Sequence, residues 1–443
     1  MNKRIGSGLA ALFLLLGMAS ALSFSGCTVS KPGKVDGETG GDLSIASFYN
    51  IWPDDENTAI GAAIKAYKEQ YGAKVTYNQY DYSVYNNKMM QMVAGGNAPD
   101  IMVAYGIDMP RLAAIELIQP VDNFVKVSEQ NWPEIMDSYT WKSKHYAGNV
   151  QQVQTPLLWF NKTLMEREGV DKNPYTLWKD GKWNWDTFLA LGEKMTKDTN
   201  ADGETDQWGF NTAYTGCFQW ANNAHMVQVD KMGKVSITWK EEANLNAIKF
   251  FQKIRFDKVI MPQDMSKFKE DFATGKLAMT CGTYEFLADV ALNFGMDADS
   301  VGVAPFPVGP NFQDHYYGQT NLLTIPSGAK NLEGAGKLCE LISQKEKELF
   351  PNQPNFANPD VDKILKEDHL EVINAVTSKT RVNYDSGWGN WDPTSLYNRR
   401  LIYDKQDPVT VLDTLEPLLQ AAITDLLNST VGDQTASDAA PDA

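Results

Sequence analysis

The sequence predicts an α/β fold with two lobes. From Leu43 onward, short apolar runs alternate with segments whose apolar residues recur at helical spacing, and this alternation is typical of a parallel sheet covered by helices. The chain has 443 residues, which is more than a single hydrophobic core generally organises. Hydrophobic residues make up 43% of it, so each lobe has enough apolar side chains for a core.

The first half of the chain contains three predicted strands, each followed by a helix. The run at 43–49 is apolar enough for a buried strand, and Asp54 or Asp55 is expected to cap the helix after it. That helix should end at Gly72, because glycine readily adopts the left-handed conformation of a helix C-terminus. The same signals predict, in order, a strand at 74–78, a helix at 83–94, a strand at 101–104 and a helix at 108–116.

The second half has longer predicted helices and shorter strands. Asn331 is expected to cap a helix in which Cys339 lies on the apolar face, so that its thiol is buried and reduced. Residues 429–443 contain almost no side chain that could join a core, and we expect them to be disordered. The remaining predicted helices and strands lie at 186–196, 241–256, 266–274, 284–294, 301–305, 322–325 and 412–427.

The N-terminus predicts export and attachment to a membrane. Lys3 and Arg4 precede an apolar run that is too short to span a bilayer, which indicates a secretory signal peptide over 1–26. Cys27 follows small residues and resembles the lipidated cysteine of a bacterial lipobox, with 27–41 as a flexible tether. We therefore expect an extracytoplasmic protein held at the outer face of the cell membrane by lipidated Cys27 alone. The alternative is an ordinary secreted protein with an unmodified cysteine.

Charge and reactive side chains exclude several classes of protein. The formal net charge of −16 argues against binding of nucleic acid, which needs an excess of Lys and Arg on one face. The three cysteines after Cys27 are Cys217, Cys281 and Cys339, so at least one of them stays unpaired. The four histidines have no metal-ligand spacing, which argues against a zinc centre.

Several segments, taken in order, resemble one family. In 92–104 two glycines end a helix, and Pro99 then leads into a buried strand that opens at Asp100, which we interpret as a capping or turn residue. With the segments after it, this block is similar to the extracellular solute-binding proteins of ABC sugar importers (family 1), which include maltose-binding protein. The further segments are 158–162 (LWFNK), 183–188 (WNWDTF), 196–210 (TKDTNADGETDQWGF), 272–284 (FATGKLAMTCGTY) and 325–331 (IPSGAKN).

The resemblance implies a type II periplasmic-binding-protein fold that holds a carbohydrate in a cleft between the lobes. The protein would be a monomeric, non-enzymatic receptor that hands its ligand to the transmembrane subunits of an ABC permease. The chain would cross between lobes near 152–156, 280–282 and 321–325. Lobe 1 would then comprise 42–151 plus 282–320, and lobe 2 would comprise 152–281 plus 321–428.

Sugar chemistry and the expected cleft select the candidate ligand-binding residues. Sugars stack their C–H faces on aromatic rings, and their hydroxyls need polar partners. Ligands of open α/β sheets bind at the carboxyl ends of strands, which selects side chains after the first and third strands. By resemblance, Tyr284 replaces an aromatic residue that stacks on sugar, and Gln154 matches a hinge position that often carries a carboxylate. The full set is Trp52, Tyr105, Asp108, Gln154, Trp220, Tyr284, Trp388 and Trp391; Trp159, Trp183 and Trp185 are assigned to the core.

The acidic segment 198–206 has two interpretations. Its oxygen-bearing side chains alternate and a glycine stands at the sixth position, as in a calcium-binding loop. Gly209 stands where such a loop needs a bidentate Glu, so a side chain from elsewhere would have to complete the site. The other interpretation is an Asx-rich turn. The candidate ligands of structural calcium are Asp198, Asn200, Asp202, Glu204 and Asp206.

Two other classes of protein stay open. A surface glycoside hydrolase needs a pair of carboxylates about 5–10 Å apart, and no local motif selects such a pair. A binding protein for a polyamine, a peptide or a metal is the second alternative. The acidic charge suits a polyamine, whereas the content of 12 Trp and 18 Tyr favours sugar.

Overall fold

The computed structural model describes residues 40–351, 361, 363–384 and 398–433. The strands are β1 (Leu43–Ser47), β2 (Val75–Gln79), β3 (Ile101–Tyr105), β4 (Thr140–Trp141), β5 (Lys144–His145), β6 (Asn149–Gln154), β7 (Leu157–Asn161), β8 (Trp208–Asn211), β9 (Val227–Val229), β10 (Val235–Ile237), β11 (Leu277–Gly282), β12 (Val301–Pro305), β13 (Tyr316–Thr324) and β14 (Thr380–Val382). The α-helices are α1 (Ala59–Tyr71), α2 (Tyr82–Ala94), α3 (Met109–Ala114), α4 (Pro133–Ser138), α5 (Lys162–Arg167), α6 (Pro174–Lys179), α7 (Trp185–Met195), α8 (Cys217–Trp220), α9 (Glu242–Gln252), α10 (Phe268–Ala273), α11 (Phe286–Ala288), α12 (Leu332–Leu349), α13 (Glu367–Thr377) and α14 (Pro408–Leu427). Single turns of 3₁₀ or π helix lie at Gly106–Asp108, Val127–Glu129, Lys253–Asp257, Asp289–Asn293, Ala298–Ser300 and Asn398–Tyr403.

The first sheet is built around β1, which pairs in parallel with β2 on one side and β3 on the other. The long strand β13 runs antiparallel to β3 and to β6, and its first residues pair in parallel with β14. Helices α1 and α12 cover this sheet, and Ile60, Ile64, Leu338, Cys339 and Ile342 belong to one buried cluster. The carboxyl ends of β1, β2 and β3 therefore lie at one edge, where ligands of such sheets bind.

The second sheet has the order β12-β7-β11-β8. β7 runs antiparallel to both β11 and β12, and β8 runs parallel to β11. The chain passes from the first sheet to the second between Gln154 and Leu157, because β6 ends in one sheet and β7 begins in the other. This is the first of the three predicted crossings.

The other two predicted crossings are wrong, and so are the lobe boundaries drawn from them. β11 and β12 both pair with β7, so the chain stays in the second sheet after 282 and leaves it between Pro305 and Tyr316. Residues 301–305 therefore belong with the second sheet, whereas Asn321–Thr324 pair with β3 in the first sheet. Strand partners lie far away in sequence, and the apolar pattern of 301–305 does not indicate which sheet the strand joins.

Helix ends follow local signals, with one correction. Thr58, and not Asp54 or Asp55, caps α1, since its hydroxyl accepts a hydrogen bond from Gly61 N at 3.0 Å. Gly72 ends that helix in the left-handed region, with φ of 60°, as predicted. Asn331 caps α12 through Oδ1 and Gly334 N at 2.9 Å, also as predicted.

Asp100 connects the first sheet to α12. Its side chain accepts hydrogen bonds from Ser44 N at 2.9 Å, Ser44 Oγ at 2.8 Å and Asn331 N at 3.0 Å. Asp100 was interpreted as a capping or turn residue, but its side chain instead joins segments 56 and 231 residues away in sequence, and Asn331 itself caps α12.

The assignment of three tryptophans and of Cys339 to the interior is also confirmed. Trp159, Trp183 and Trp185 are buried in the core. Cys217, Cys281 and Cys339 are buried free thiols. Burial raises the pKa of Cys339 to about 12, which keeps this thiol protonated and unreactive at neutral pH.

The C-terminal part of the described chain is packed further than the sequence indicates. Val431, inside the segment 429–443 that we expected to be disordered, is buried against the core, and Thr430 Oγ1 donates to Asp433 Oδ2 at 2.8 Å. Among the described residues, no helix is both long and apolar enough to cross a membrane.

Candidate functional site

Aromatic rings gather at the carboxyl ends of β1, β2 and β3. The ring of Phe48, just after β1, lies 4.6 Å from that of Tyr105 at the end of β3, measured between centroids, and 5.2 Å from that of Tyr49. Tyr82 begins α2 and lies 5.6 Å from both Phe48 and Tyr105. Its side chain is 59% exposed, so one ring of this cluster is available to a ligand.

Tyr82 was not among the sequence-predicted residues. The signal that indicates it is positional: α2 starts after β2, a parallel strand whose carboxyl end lies at the same edge as those of β1 and β3. The rule that selected Tyr105 applies equally to Tyr82.

Polar side chains continue the site across the first sheet. Tyr105, Asn321 and Gln152 are Cα partners on three adjacent strands. Asn321 is buried, and its Nδ2 donates to Gln152 Oε1 at 2.7 Å, while its Oδ1 has no hydrogen-bond partner in the described part of the chain. The predicted residue Gln154 lies at the end of β6, half-buried, with its Nε2 3.4 Å from Gln152 Oε1. Of these three amide side chains, the sequence analysis selected Gln154 and did not select Gln152 or Asn321.

A glycine lets the end of β3 approach β13 closely. Gly106 follows Tyr105, and a Cβ at this position would collide with the hydroxyls of Tyr139 and Thr320. Those two hydroxyls are hydrogen-bonded to each other in the interior. The backbone that carries Tyr105 and Asp108 is thus held against the strand that carries Asn321.

The Tyr49 hydroxyl is a buried polar group without a directed hydrogen bond to any described residue. Burial raises the pKa of Tyr49. The Asn321 amide opposes this shift, and the Glu285 charge adds a smaller increase. The pKa of Tyr105 is raised to about 12, mainly by burial and to a smaller extent by Tyr82 and Glu285. Both phenols are therefore neutral hydrogen-bonding groups at physiological pH.

Asp108, a predicted ligand-binding residue, follows Tyr105 by three residues, and its charge is already compensated. Its Oδ1 lies 3.5 Å from Arg111 Nη2, and both side chains are largely buried. Burial raises the pKa of Asp108, and the Arg111 charge opposes that shift.

The second sheet contributes residues that follow β11. Tyr284, predicted to stack on sugar, is 3% exposed and lies within the hydrophobic core, so its ring has no free face in this conformation. The next residue, Glu285, is half-buried, and the sequence did not indicate it. Burial and the Asp289 charge raise the pKa of Glu285, against the effect of Lys269.

Glu285 lies close to the point where the chain crosses between the two sheets. It follows the end of β11 by three residues, and Gly282, the last residue of β11, is the Cα partner of Leu157, the first residue of β7. The charge of Glu285 contributes to the raised pKa of Tyr49 and Tyr105, which follow strands of the first sheet. Tyr214 follows β8 of the second sheet. Burial is the main reason that its pKa is raised to about 12, and the Glu285 charge contributes to the same shift. The Glu285 charge therefore acts on phenol groups at or after the ends of strands in both sheets.

The remaining predicted tryptophans are less well defined. Trp52 is half-buried with a positive φ of 47°, a turn stabilised by the hydrogen bond from its N to Asn50 Oδ1 at 2.9 Å. Trp220 is half-buried at the end of α8. Trp388 and Trp391 lie outside the described residues.

The segment 198–206 forms a turn whose side-chain oxygens accept its own backbone N–H groups. Asp198 accepts from Ala201 N at 2.7 Å and from Gly203 N at 2.8 Å, and Asn200 accepts from Asp202 N at 2.9 Å. Asp202 and Asp206 accept in the same way from Glu204 and Thr199. Over the described ranges, no group of three or more His, Cys, Asp or Glu is arranged to hold a metal ion. Calcium binding at this loop stays a prediction.

The fold defines a two-lobed protein of the type II periplasmic-binding-protein class, and the candidate ligand-binding residues lie at or after the ends of strands in both sheets. The chain belongs to the bacterial extracellular solute-binding protein family, whose sequence model matches residues 53–347. The resemblance found in the sequence motifs is thereby confirmed. No curated protein sequence is significantly similar to the chain.

Solved structures of the same fold cover most of the chain. The GacH receptor of Streptomyces glaucescens, described unliganded and with acarbose, is 19% identical with a TM-score of 0.65, over 88% of this chain and 100% of its own. Lmo0181 from Listeria monocytogenes, solved with cycloalternan, is 15% identical with a TM-score of 0.65, over 87% and 100%. An extracellular solute-binding protein from Staphylococcus aureus, solved with maltose, is 14% identical with a TM-score of 0.66, over 87% and 98%.

Proposed function

We propose that this protein is the carbohydrate receptor of an ABC importer, which captures a mono- or oligosaccharide and delivers it to the permease. The observation that carries this proposal is the ring cluster of Phe48, Tyr82 and Tyr105 beside the unpaired polar atoms of Tyr49 and Asn321. A sugar offers the complement of both parts, because its C–H face covers an aromatic ring and its hydroxyls pair with buried polar groups. Acarbose, cycloalternan and maltose in the similar structures belong to the same chemical class.

Capture requires that the ligand bind the closed arrangement of the lobes more tightly than the open one. Tyr82 and Tyr105 lie at or after the ends of strands in the first sheet, while Glu285 and Tyr214 follow strands of the second. One ligand in contact with all four would therefore favour closure. The connection at 155–156 is short, which suits a bend between two rigid lobes.

We further propose that the mature protein is a monomer held at the outer face of the cell membrane by lipid on Cys27. A diacylglycerol group brings two acyl chains, and two are needed for stable anchoring. Labelling of cells with palmitate should mark the wild type. A Cys27→Ser variant should carry no label and should be released from the membrane fraction.

A thermal-shift panel tests the function directly. We expect maltotriose or another oligosaccharide to raise the melting temperature with saturation, since a ligand that binds only the folded state stabilises it by mass action. Spermidine and a mixed tripeptide serve as probes of the other solute classes. A shift with spermidine or the tripeptide alone would refute the sugar assignment, and release of shorter sugars during incubation would indicate a glycoside hydrolase.

A further inference from the structure

Glu285 is a charged group at the junction of the two lobes for which the described protein supplies no partner. Its carboxylate makes neither a hydrogen bond nor an ion pair with any residue in the described ranges, although it is half-buried. Lys269, the cation that acts on it, is bound instead to Asp289, with 2.5 Å between Nζ and Oδ2. An uncompensated carboxylate in such a position is costly unless a ligand supplies hydrogen-bond donors.

The candidate site also contains a buried acceptor that needs a hydrogen-bond donor. Asn321 Oδ1 is an unpaired acceptor on a side chain that is 4% exposed, and the Tyr49 hydroxyl is also unpaired. Arg111, the cation beside the ring cluster, is engaged by Asp108 at 3.5 Å. A ligand that donates hydrogen bonds satisfies this set, whereas a ligand with a carboxylate or phosphate at the same place faces repulsion from Glu285.

We propose that Glu285 is a specificity-determining residue of the site, whose carboxylate binds a pair of adjacent hydrogen-bond donors on the ligand and rejects anionic sugars. The donors are two neighbouring hydroxyls or a protonated amine. Asn321 Oδ1 accepts a further donor from the same ligand. This inference rests on the proposed function as a sugar receptor and specifies which sugars the receptor selects.

The test compares three trimers of similar size by isothermal titration calorimetry: neutral maltotriose, cationic tri-glucosamine and anionic tri-galacturonate. The wild type should bind the neutral or the cationic trimer and should bind the anionic one most weakly. Because a hydrogen bond to a charged group contributes about 1.5–3 kcal/mol, Glu285→Gln should weaken binding of the preferred trimer by about 10- to 100-fold. The same variant should reduce the preference against the anionic trimer.

Glu340→Gln provides a matched control. Burial raises the pKa of Glu340 too, but this residue lies on α12 near Lys126 and Glu129 and not at the lobe junction, so its substitution should leave affinity unchanged. Preference for the neutral over the cationic trimer assigns the donors to hydroxyls, and the reverse preference assigns them to an amine.

A pH profile of wild-type affinity keeps the proposal testable if Glu285→Gln fails to fold. Affinity should fall on acidification with a midpoint above about 4.3, the ordinary value for Glu, because protonation removes the acceptor. The titratable groups facing Glu285 are Tyr49, Tyr105, Tyr214, Asp289 and Lys269, and Asp108 also lies at the site with a raised pKa. If the affinity of Glu285→Gln no longer falls on acidification, the fall in the wild type is due to Glu285 and not to these other groups.

The outcomes separate this inference from the function on which it rests. If the wild type binds a trimer and Glu285→Gln binds it within about twofold, or if the anionic trimer binds best, the role of Glu285 is refuted while the receptor function stands. A wild-type profile that is flat between pH 4 and 8 refutes it too. If the wild type binds no sugar at all, both are refuted together.

Discussion

Replacement of Tyr82 by Ala tests whether the ring cluster is the surface on which a sugar stacks. The side chain is 59% exposed, and a fully covered aromatic side chain buries about 150–250 Å². If a ligand covers about half of the exposed part, roughly 45–75 Å² leaves water, which corresponds to about 1–2 kcal/mol at about 25 cal/mol per Å². We therefore expect Tyr82→Ala to weaken binding by about 5- to 30-fold.

The assay is calorimetric titration with the sugar that gives the largest thermal shift, with three comparisons. Tyr82→Phe keeps the ring and should bind within about threefold of the wild type, since an exposed hydrogen bond contributes at the lower end of the usual range, about 0.5 kcal/mol, which is about twofold in affinity. Tyr403→Ala removes another exposed ring, which lies beside Arg255 and not in the cluster, and should bind as the wild type does. Equal affinity for wild type and Tyr82→Ala would show that the ring is not part of the site.

Three further predictions address stability. Asp100→Ala should lower the free energy of unfolding by about 3 kcal/mol, because it leaves the partly buried N–H groups of Ser44 and Asn331 unpaired. Urea denaturation measures this loss, and Asp100→Asn should give an intermediate value. Burial, with a smaller contribution from His315, lowers the pKa of His225 to about 4, so the unfolded chain takes up a proton first and stability should fall as the pH drops from about 6.5 towards 4. His225→Gln should flatten that part of a melting-temperature profile, and an unchanged slope would contradict the assignment. If the loop 198–206 binds calcium, EDTA should lower the melting temperature and added calcium should restore it; no change on either addition would favour the Asx-rich turn.

Local features of the fold were predictable because they depend on residues close together in sequence. Gly72 ends α1 and Asn331 starts α12 through bonds to residues within one helical turn, and the sequence identifies both. The N-cap of α1 was misplaced by only a few residues, to Asp54 or Asp55 in place of Thr58, because several residues of suitable type stand in a row. Such errors do not affect the fold class.

Sheet membership was not predictable in the same way. Val301–Pro305 and Asn321–Thr324 are both short apolar strands, and nothing within either indicates that the first pairs with β7 and the second with β3. The lobe boundaries therefore needed the family resemblance, and the alignment of its motifs to hinge strands placed two of the three crossings wrongly.

Some residues of the candidate site were predictable from the sequence and others were not. Tyr105, Asp108 and Gln154 were identified because they follow strands or match a family position. Tyr105 and Gln152 share Asn321 as a Cα partner, and Gln154 follows Gln152 by two residues. Tyr284 was expected at the surface of the cleft, and its burial depends on packing of the core around β11. Glu285 and Asn321 carry no sequence signal of their own, because an unpaired polar atom is defined only by what surrounds it.

Periodicity and composition were enough to predict an α/β fold with an acidic charge and aromatic residues at strand ends, because both are properties of consecutive residues. The solute-binding family was predicted from the resemblance of several motifs in order. Only the tertiary structure decided which strands share a sheet, which rings stay exposed and which carboxylate is left without a partner. Those properties arise when residues distant in sequence come together, so burial and missing hydrogen bonds exist only in the folded molecule.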